Sequence, residues 1–569
     1  MKYIKGEDRR QYVLFPACLD ECIEQDSPVR YIDAFVDSLD LAELGFARVS
    51  EKEYEKGGRP PYDPSDLVKL YVYGYFNSIR SSRKLERECK RNIEVMWLLS
   101  KVTPDYHTIS DFRKDNLDAI KKMFKALNKQ LDSFDLFSHS YISIDGSKFK
   151  AVNSKDNNFT LNKLDDRIAR LEVHEKQYLT ELEQNDFNDE LGLSREEVEH
   201  KLEVCQERKS RYEGYREQLE KSGESQMSLT DKDAKLMKFN DGFDVGYNVQ
   251  TGVEAGSHLI ATYNVTTNPT DHGEIAETLS TPKEELGHDI LESVADKGYQ
   301  DPEDMGKALA TGIVPNVIQR DGKDVADVEL EYQEAEVTED MLNSKKPEDI
   351  EACLKAGKVP AVYAGILDSA EVVERKSYEC VAPSSLKNMT GDEMRLLALQ
   401  GYFVRDAEKN LVYCPQGQML RQKSIKKNGH IRYCNKLACK KCSHKCTIAA
   451  FKEADFSKDS LIKQAKNYEV ASKQEPSGDN QPPAMKMEKK VTIRKVVTYK
   501  LHLDMGKMEQ RKCLSEHPFG TIKRTLGSYY FLLKSKVKVE AEMALICIAY
   551  NMRRAISMLG VPQLVAKMA

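Results

Sequence analysis

With 569 residues, 31% of them charged and 40% hydrophobic, a net charge of −6 and a mean hydropathy of −0.59, the chain is longer than one hydrophobic core accommodates, and several compact units are expected. No apolar run approaches the roughly 20 residues that a bilayer crossing needs, and the first ten residues lack the apolar stretch and cleavage site of a secretory signal. These features exclude a spanning segment and predict a cytoplasmic protein. The acidic net charge argues against an overall attraction to nucleic acid, since phosphate neutralisation needs Lys and Arg. Charge is segregated, however: residues 421–445 carry nine Lys or Arg and no acid, whereas 329–351 are strongly acidic, so a basic face is compatible with the composition.

Residues 1–136 read as a helical domain. Asp63-Pro64-Ser65-Asp66 has an N-cap residue, Pro at the first helical position and an acid in the first turn, so a helix should follow it. Leu67, Leu70, Tyr71, Gly74 and Tyr75 recur at helical spacing, and Arg80, Arg83, Lys84, Arg87, Lys90 and Arg91 supply a basic flank, either a solvated face or one that contacts DNA.

From Ser138 the pattern becomes alternating, which predicts a strand ending at Asp145, a turn at Gly146 and a second strand. Residues 161–222 return to a charged helical pattern broken near 185–193, as in an antiparallel helical hairpin serving as spacer or oligomerisation arm. Two strands follow at 243–253 and 258–266; a further strand at 290–295 ends in Asp296, a helix starts near Pro302, and 311–318 offers one more strand. Residues 321–495 read as an irregular insertion, with a polar, disordered segment around 473–490. Residues 508–569 are helical again, and Ala544, Leu545, Ile548, Ala549 and Met552 form an apolar stripe expected to pack on the sheet.

Two acids that end separate strands of one sheet converge if those strands are neighbours. Such a pair suits two hard cations, which clamp the attacking and leaving oxygens of a phosphoryl displacement. A third carboxylate is expected from 508–524, where Lys512, Glu516 and Lys523 share a face of a straight helix, the acid aimed at metal and the lysines at phosphate; Pro518 and Gly520 interrupt that assumption.

Thirteen cysteines, five of them between Cys414 and Cys446, suit a reducing compartment and a local metal site better than a disulfide framework. Cys414, Cys439, Cys442 and Cys446 are the preferred ligands of a structural zinc ion, with Cys434 and His444 as substitutes. The alternative is a set of free thiols in a basic loop.

Six short motifs then stand out: YGYFNSIRSSRKLEREC at 73–89, TISDFR at 108–113, IDGSK at 144–148, SLTDKDAKLM at 228–237, ADKGY at 295–299 and EHPFGTIK at 516–523. On these the chain resembles the DDE transposases of bacterial insertion sequences, in the group with a long helical N-terminal region. The resemblance covers nearly the whole chain. It implies a mixed α/β protein with a ribonuclease H-like catalytic core, at 137–320 plus 496–569, interrupted by the hairpin 161–222 and the cysteine-rich insertion 321–495. It implies Asp145, Asp296 and Glu516 as ligands of Mg2+ or Mn2+, Lys512 and Lys523 as DNA contacts, and the helical N-terminal region 1–136 as a DNA-binding domain. It further implies cleavage and strand transfer on DNA, binding to terminal inverted repeats and target DNA as a homodimer, and a nucleoid-associated location. One departure stands in the last motif: the family's Tyr position holds Met508 or Glu509, and Arg511 or Lys512 takes the Arg position. A catalytically inactive DNA-binding relative is the competing expectation.

Overall fold

The structure is a computed structural model. It describes residues 18–47, 61–185, 195–222, 224, 226–285, 287–380, 389–407, 409–425, 430–442, 446, 451–457, 460–464 and 489–568. The chain is mixed α/β, with 49% helix and 21% strand. It divides into two compact units, Met1–Val373 with Val496–Ala569, and Glu374–Lys495.

In the first unit the helix Pro64–Phe76 begins where the sequence places it. The Asp63 side chain accepts a hydrogen bond from the Ser65 amide at 2.8 Å, and Pro64 occupies the first helical position. Ten of this helix's residues are buried, because it is wrapped by Pro28–Asp37 and by the long C-terminal helix Lys536–Leu559. The latter also packs on Leu117–Ser133 and on the strand Ile260–Thr266. Its expected stripe, Ala544, Leu545, Ile548, Ala549 and Met552, is at most 1% exposed, each large apolar side chain there contributing about 1.5–3 kcal/mol. Asn551 locks this contact from the polar side, its Nδ2 donating to Asn128 Oδ1 at 2.8 Å and to the Ile260 carbonyl at 2.9 Å. The N-terminal helices therefore share one hydrophobic core with the sheet.

Arg80, from the basic flank, belongs to this core contact. It is 7% exposed, donates to the Tyr530 carbonyl at 2.7 Å and lies 3.5 Å from the fully buried Glu542. Glu542 in turn accepts the amides of Leu532 and Leu533. Arg83 stacks 4.8 Å from the Tyr106 ring, while Lys90 and Arg91 pair with Glu86 and Glu88 on their own helix.

The sheet of this unit has Gly242–Glu254 flanked on one edge by Lys235–Phe239 and Ile260–Thr266, and on the other by Ile142–Lys150, then Leu291–Ala295, then Ile313–Val317. The first four pair antiparallel with one another; the last two run parallel to Ile142–Lys150. The turn expected at Gly146 is absent. Ile142–Lys150 is one continuous strand, because its partner pairs with it without interruption from Ile142↔Glu254 to Lys150↔Gly246. The Asp296 strand, its 3-10 turn, the helix Pro302–Ala310 capped by Asp301 and the strand Ile313–Val317 lie where the pattern places them. The hairpin is formed by Leu161–Asn185 and Arg195–Ser222, which pack antiparallel, with Arg167 on Tyr212 and Lys209 on Glu175.

Residues 325–373, read from the sequence as the start of the insertion, are part of the first unit: Val325–Glu331 pairs with the end of Lys489–His502, and Ile350, Leu354 and Tyr363 enter the main core. The second unit is likewise not irregular. Among its described residues, six strands form an antiparallel sheet in the order Glu453–Phe456, Ile431–Cys434, Met419–Ile425, Leu411–Tyr413, Tyr402–Asp406, Ile462–Gln464, packed around Phe403, Val412, Leu420 and Phe456. The strands escaped sequence reading because they are short and rich in Lys, Arg and Gln. The polar segment at 473–488 lies outside the described residues.

Among the described residues no single helix is long and apolar enough to cross a membrane. The bent pair Lys536–Leu559 and Val561–Met568 passes on length and composition, but its first member is the buried core helix just described.

Candidate active site

Two neighbouring parallel strands bring the first two predicted acids together. Ile142 pairs with Ser293 and Ser143 with Val294; continuing that register by two residues sets Asp145 beside Asp296. Asp296 follows its strand directly and caps the next turn, its Oδ1 accepting the Gly298 amide at 2.7 Å. Asp145 lies within its strand, two residues past the last pair with the Asp296 strand, and its Oδ1 accepts the Gly146 amide at 2.9 Å. Both are half-buried.

The Tyr299 hydroxyl lies among these acids. Burial, together with the charges of Asp271, Asp145, Asp296 and Glu274, holds it well above the ordinary tyrosine range. The hydroxyl donates to Gln250 Oε1, while Gln250 Nε2 and Asn248 Nδ2 donate to one oxygen of Asp271, at 2.9 and 2.8 Å. Sequence reasoning missed Asp271, Gln250, Asn248 and Tyr299. Asp271 stands in a polar turn, and nothing in its local sequence separates it from an ordinary turn acid.

The helix Met505–Gly520 packs on the Asp145 and Asp296 strands. Lys507 pairs with Glu292, Gln510 accepts from the Tyr141 hydroxyl at 2.8 Å, and Arg511 Nη1 lies 4.0 Å from Asp145 Oδ2. Of the two candidates for the last motif's Arg position, Arg511 is the one whose side chain is described and lies near Asp145; Met508, one turn earlier, is buried. Glu516 stands five residues beyond Arg511, about 140° round the helix, and is exposed. The Lys512 side chain lies outside the described residues. Past Pro518 the helix widens into the π-helical segment Thr521–Thr525, which redirects Lys523. Its ammonium donates to Ser147 Oγ at 2.6 Å and to the Lys148 carbonyl at 2.9 Å, and lies 4.6 Å from the Phe149 ring centre. Burial pushes its pKa down to about 8, against the attraction of Asp145. Glu516 and Lys523 thus do not share the face that a straight helix predicts. The structure joins Asp145, Asp296, Arg511 and Lys523, and leaves Glu516 outward.

In the second unit Cys414, Cys439, Cys442 and Cys446 line one small pocket with Gln416 and Phe451. Burial raises the Cys414 and Cys446 thiols, and the neighbouring thiols add to the effect. Cys434 is on a strand, paired with Arg421, and does not line this pocket; His444 lies outside the described residues. Among the described residues no group of three or more His, Cys, Asp or Glu side chains has the geometry to hold a metal ion as it stands. The basic run is partly neutralised in space: Lys423 lies 2.5 Å and Arg432 2.8 Å from Glu453, and Arg432 also reaches Asp455 at 3.1 Å.

Residues 17–115 match a family model described as a transposase domain (DUF772). The matched region is the helical N-terminal part that shares its core with the sheet, and the match supports a transposase family for the chain. No curated protein and no solved structure matches the chain.

Proposed function

We propose that the protein is a DDE transposase that binds the terminal inverted repeats of an insertion sequence and cuts and rejoins DNA on a ribonuclease H-like core. The observation that carries this reading is the convergence of Asp145 and Asp296 on adjacent parallel strands, in a chain whose N-terminal region matches a transposase domain. The antiparallel strands followed by two parallel ones, with the Asp145 strand central, support the core assignment.

The surroundings fit a hydrated divalent cation. Asn248 is 1% exposed, yet its Oδ1 has no hydrogen-bond partner among the described residues, and it stands in the same side chain whose nitrogen holds Asp271. Gly146 and Gly298 leave open the space that a Cβ would fill against Asp271, Gln250 and Asp296. Mg2+ or Mn2+, when bound, would polarise the phosphoryl group and lower the pKa of the attacking water or 3′-hydroxyl. Asp145 and Asp296 would hold it, Arg511 orients Asp145, and Lys523 and Lys512 lie in the segment proposed to hold DNA phosphates. Glu516 is the proposed third acid; because it faces outward without DNA, the reading requires it to close on the pair when DNA is bound. Cys414, Cys439, Cys442 and Cys446 form the proposed structural zinc set, which thiolates at such spacing suit. DNA ends and target DNA are the proposed partners, held by a homodimer.

A second reading, a DNA-binding relative without catalysis, is favoured by one observation, the outward Glu516. The deciding experiment is Mg2+-dependent cleavage of a DNA duplex carrying the element's end. The Asp296→Ala variant should lose cleavage and keep DNA binding. Cleavage retained by that variant would overturn the assignment, whereas binding without cleavage by the unaltered protein would select the second reading.

A further inference from the structure

Asp271 is the acid in this region that neither its motif nor its secondary structure marks, and it is the most firmly held. Its Oδ1 accepts two amide donors, Asn248 Nδ2 at 2.8 Å and Gln250 Nε2 at 2.9 Å. Both donors come from the strand Gly242–Glu254 and are at most 1% exposed, and Gln250 is fixed in turn by Tyr299. Two buried amides committed to one oxygen of a half-buried carboxylate set its direction. The other oxygen, Oδ2, faces Asp296: it lies 3.5 Å, and Asp296 Oδ1 2.8 Å, from the single point where a Cβ on Gly298 would stand. On the opposite side a Cβ on Gly146, next to Asp145, would come within 2.5 Å of Asp271 Oδ1. Glycine at 146 is what allows Asp271 to approach the Asp145 strand this closely. The unpartnered Asn248 Oδ1 adds a second buried acceptor beside it.

We propose that Asp271 is a positioning carboxylate of the catalytic cation site, acting through the cation's bound water rather than by direct ligation. Mg2+ gives up its water reluctantly and keeps several molecules when held by one or two carboxylates. A fixed acid just beyond Asp145 and Asp296 would accept hydrogen bonds from those waters and add negative charge where the cation sits. Before DNA brings Glu516 inward, Asp271 would supply the third negative charge. The inference rests on Asp145 and Asp296 being the metal-binding pair.

The test is Mn2+ binding to the DNA-free full-length protein, followed by electron paramagnetic resonance, with Mg2+ competition. Asp271→Asn can still accept both amides through its oxygen but has lost the charge. It should bind Mn2+ about tenfold more weakly, at the lower end of what loss of an outer partner costs, with its melting temperature within a few degrees of the parent. The Mg2+ concentration for half-maximal cleavage should rise by a similar factor, while the rate at saturating Mg2+ falls less. Asp271→Glu, which restores the charge, should regain part of the affinity, and this guards against a purely structural effect. If Asp271→Asn binds Mn2+ like the parent, or if Asn and Glu weaken binding equally, the inference is overturned. If Asp145→Ala and Asp296→Ala also leave Mn2+ binding and cleavage unchanged, the catalytic reading itself fails, so the two failures are distinguishable.

Discussion

Glu254 shows how a single side chain sets the register on which the candidate site depends. It is fully buried at the end of the strand Gly242–Glu254, where Ser138 and Ser140 donate to Oε1 at 2.5 Å each, and the Ser257 hydroxyl and amide donate to Oε2 at 2.6 and 2.8 Å. Burial alone would raise its pKa, but these hydrogen bonds outweigh it and hold the group at about 2. They also tie residues 138–140, just before the Asp145 strand, to the strand that pairs Asp145 with Thr251. Glu254→Gln should therefore lower stability by about 2–4 kcal/mol at neutral pH, measured by urea unfolding. The sign in acid follows from the depressed folded pKa: the stabilisation is complete above the ordinary value of 4.5 and fades as pH falls toward about 2. The gap between parent and variant should close over that window, and a constant gap would show that shape, not charge, matters. Asp145 and Asp296 could be read from sequence because each stands at a visible change of pattern. Glu254 and Asp271 could not, because their donors come from residues brought near only by the fold.

At the scale of elements, helices were the most legible, since a cap, a proline and a 3.6-residue period are local signals. The hairpin of Leu161–Asn185 and Arg195–Ser222 is a case in which the local signal sufficed. Its base is closed by the short pair Asn158↔Ser228 and Phe159↔Met227, and it has its own small core of Phe159, Leu164 and Leu219. Replacing 161–222 with a short Gly/Ser linker should therefore leave the main core folded, with a melting temperature within a few degrees of the parent. Size-exclusion chromatography with light scattering on the same protein checks the oligomerisation role: a fall in mass to monomer would assign the arm to assembly. Strand ends were less legible. Gly146 reads as a turn, yet its neighbours continue as strand because Gly242–Glu254 is long enough to pair past it. The course of the chain after Pro518 was only partly legible: Pro518 and Gly520 signal an interruption, but not that a π-helical segment turns Lys523 toward Ser147.

At the scale of the whole chain, the thiol cluster and the pair of strand acids fall in different compact units. The thiols of Cys414, Cys439, Cys442 and Cys446 gather in Glu374–Lys495, and Asp145 and Asp296 lie in the other unit. If the thiols hold zinc, the purified protein should contain about one zinc per chain, released by thiol modification and quantified with a chromophoric chelator. Cys439→Ser with Cys442→Ser should abolish that release and make the second unit sensitive to proteolysis, with the first unit intact. Absence of stoichiometric zinc in protein purified without chelator would return these residues to free thiols.

The sequence by itself determined the helical N-terminal region, the hairpin, the strands carrying Asp145 and Asp296 and the clustering of cysteines, because each rests on periodicity, capping or spacing within a few residues. Only the tertiary structure decided that the N-terminal helices share a core with the sheet, that Arg80 is spent on Glu542, and that Lys523 turns toward the Asp145 strand while Glu516 faces solvent. The same holds for the hydrogen-bonded set of Tyr299, Gln250, Asn248 and Asp271 beside the two acids. Those outcomes depend on contacts between residues tens to hundreds of positions apart, and local pattern does not encode which distant partner will satisfy a buried charge or amide.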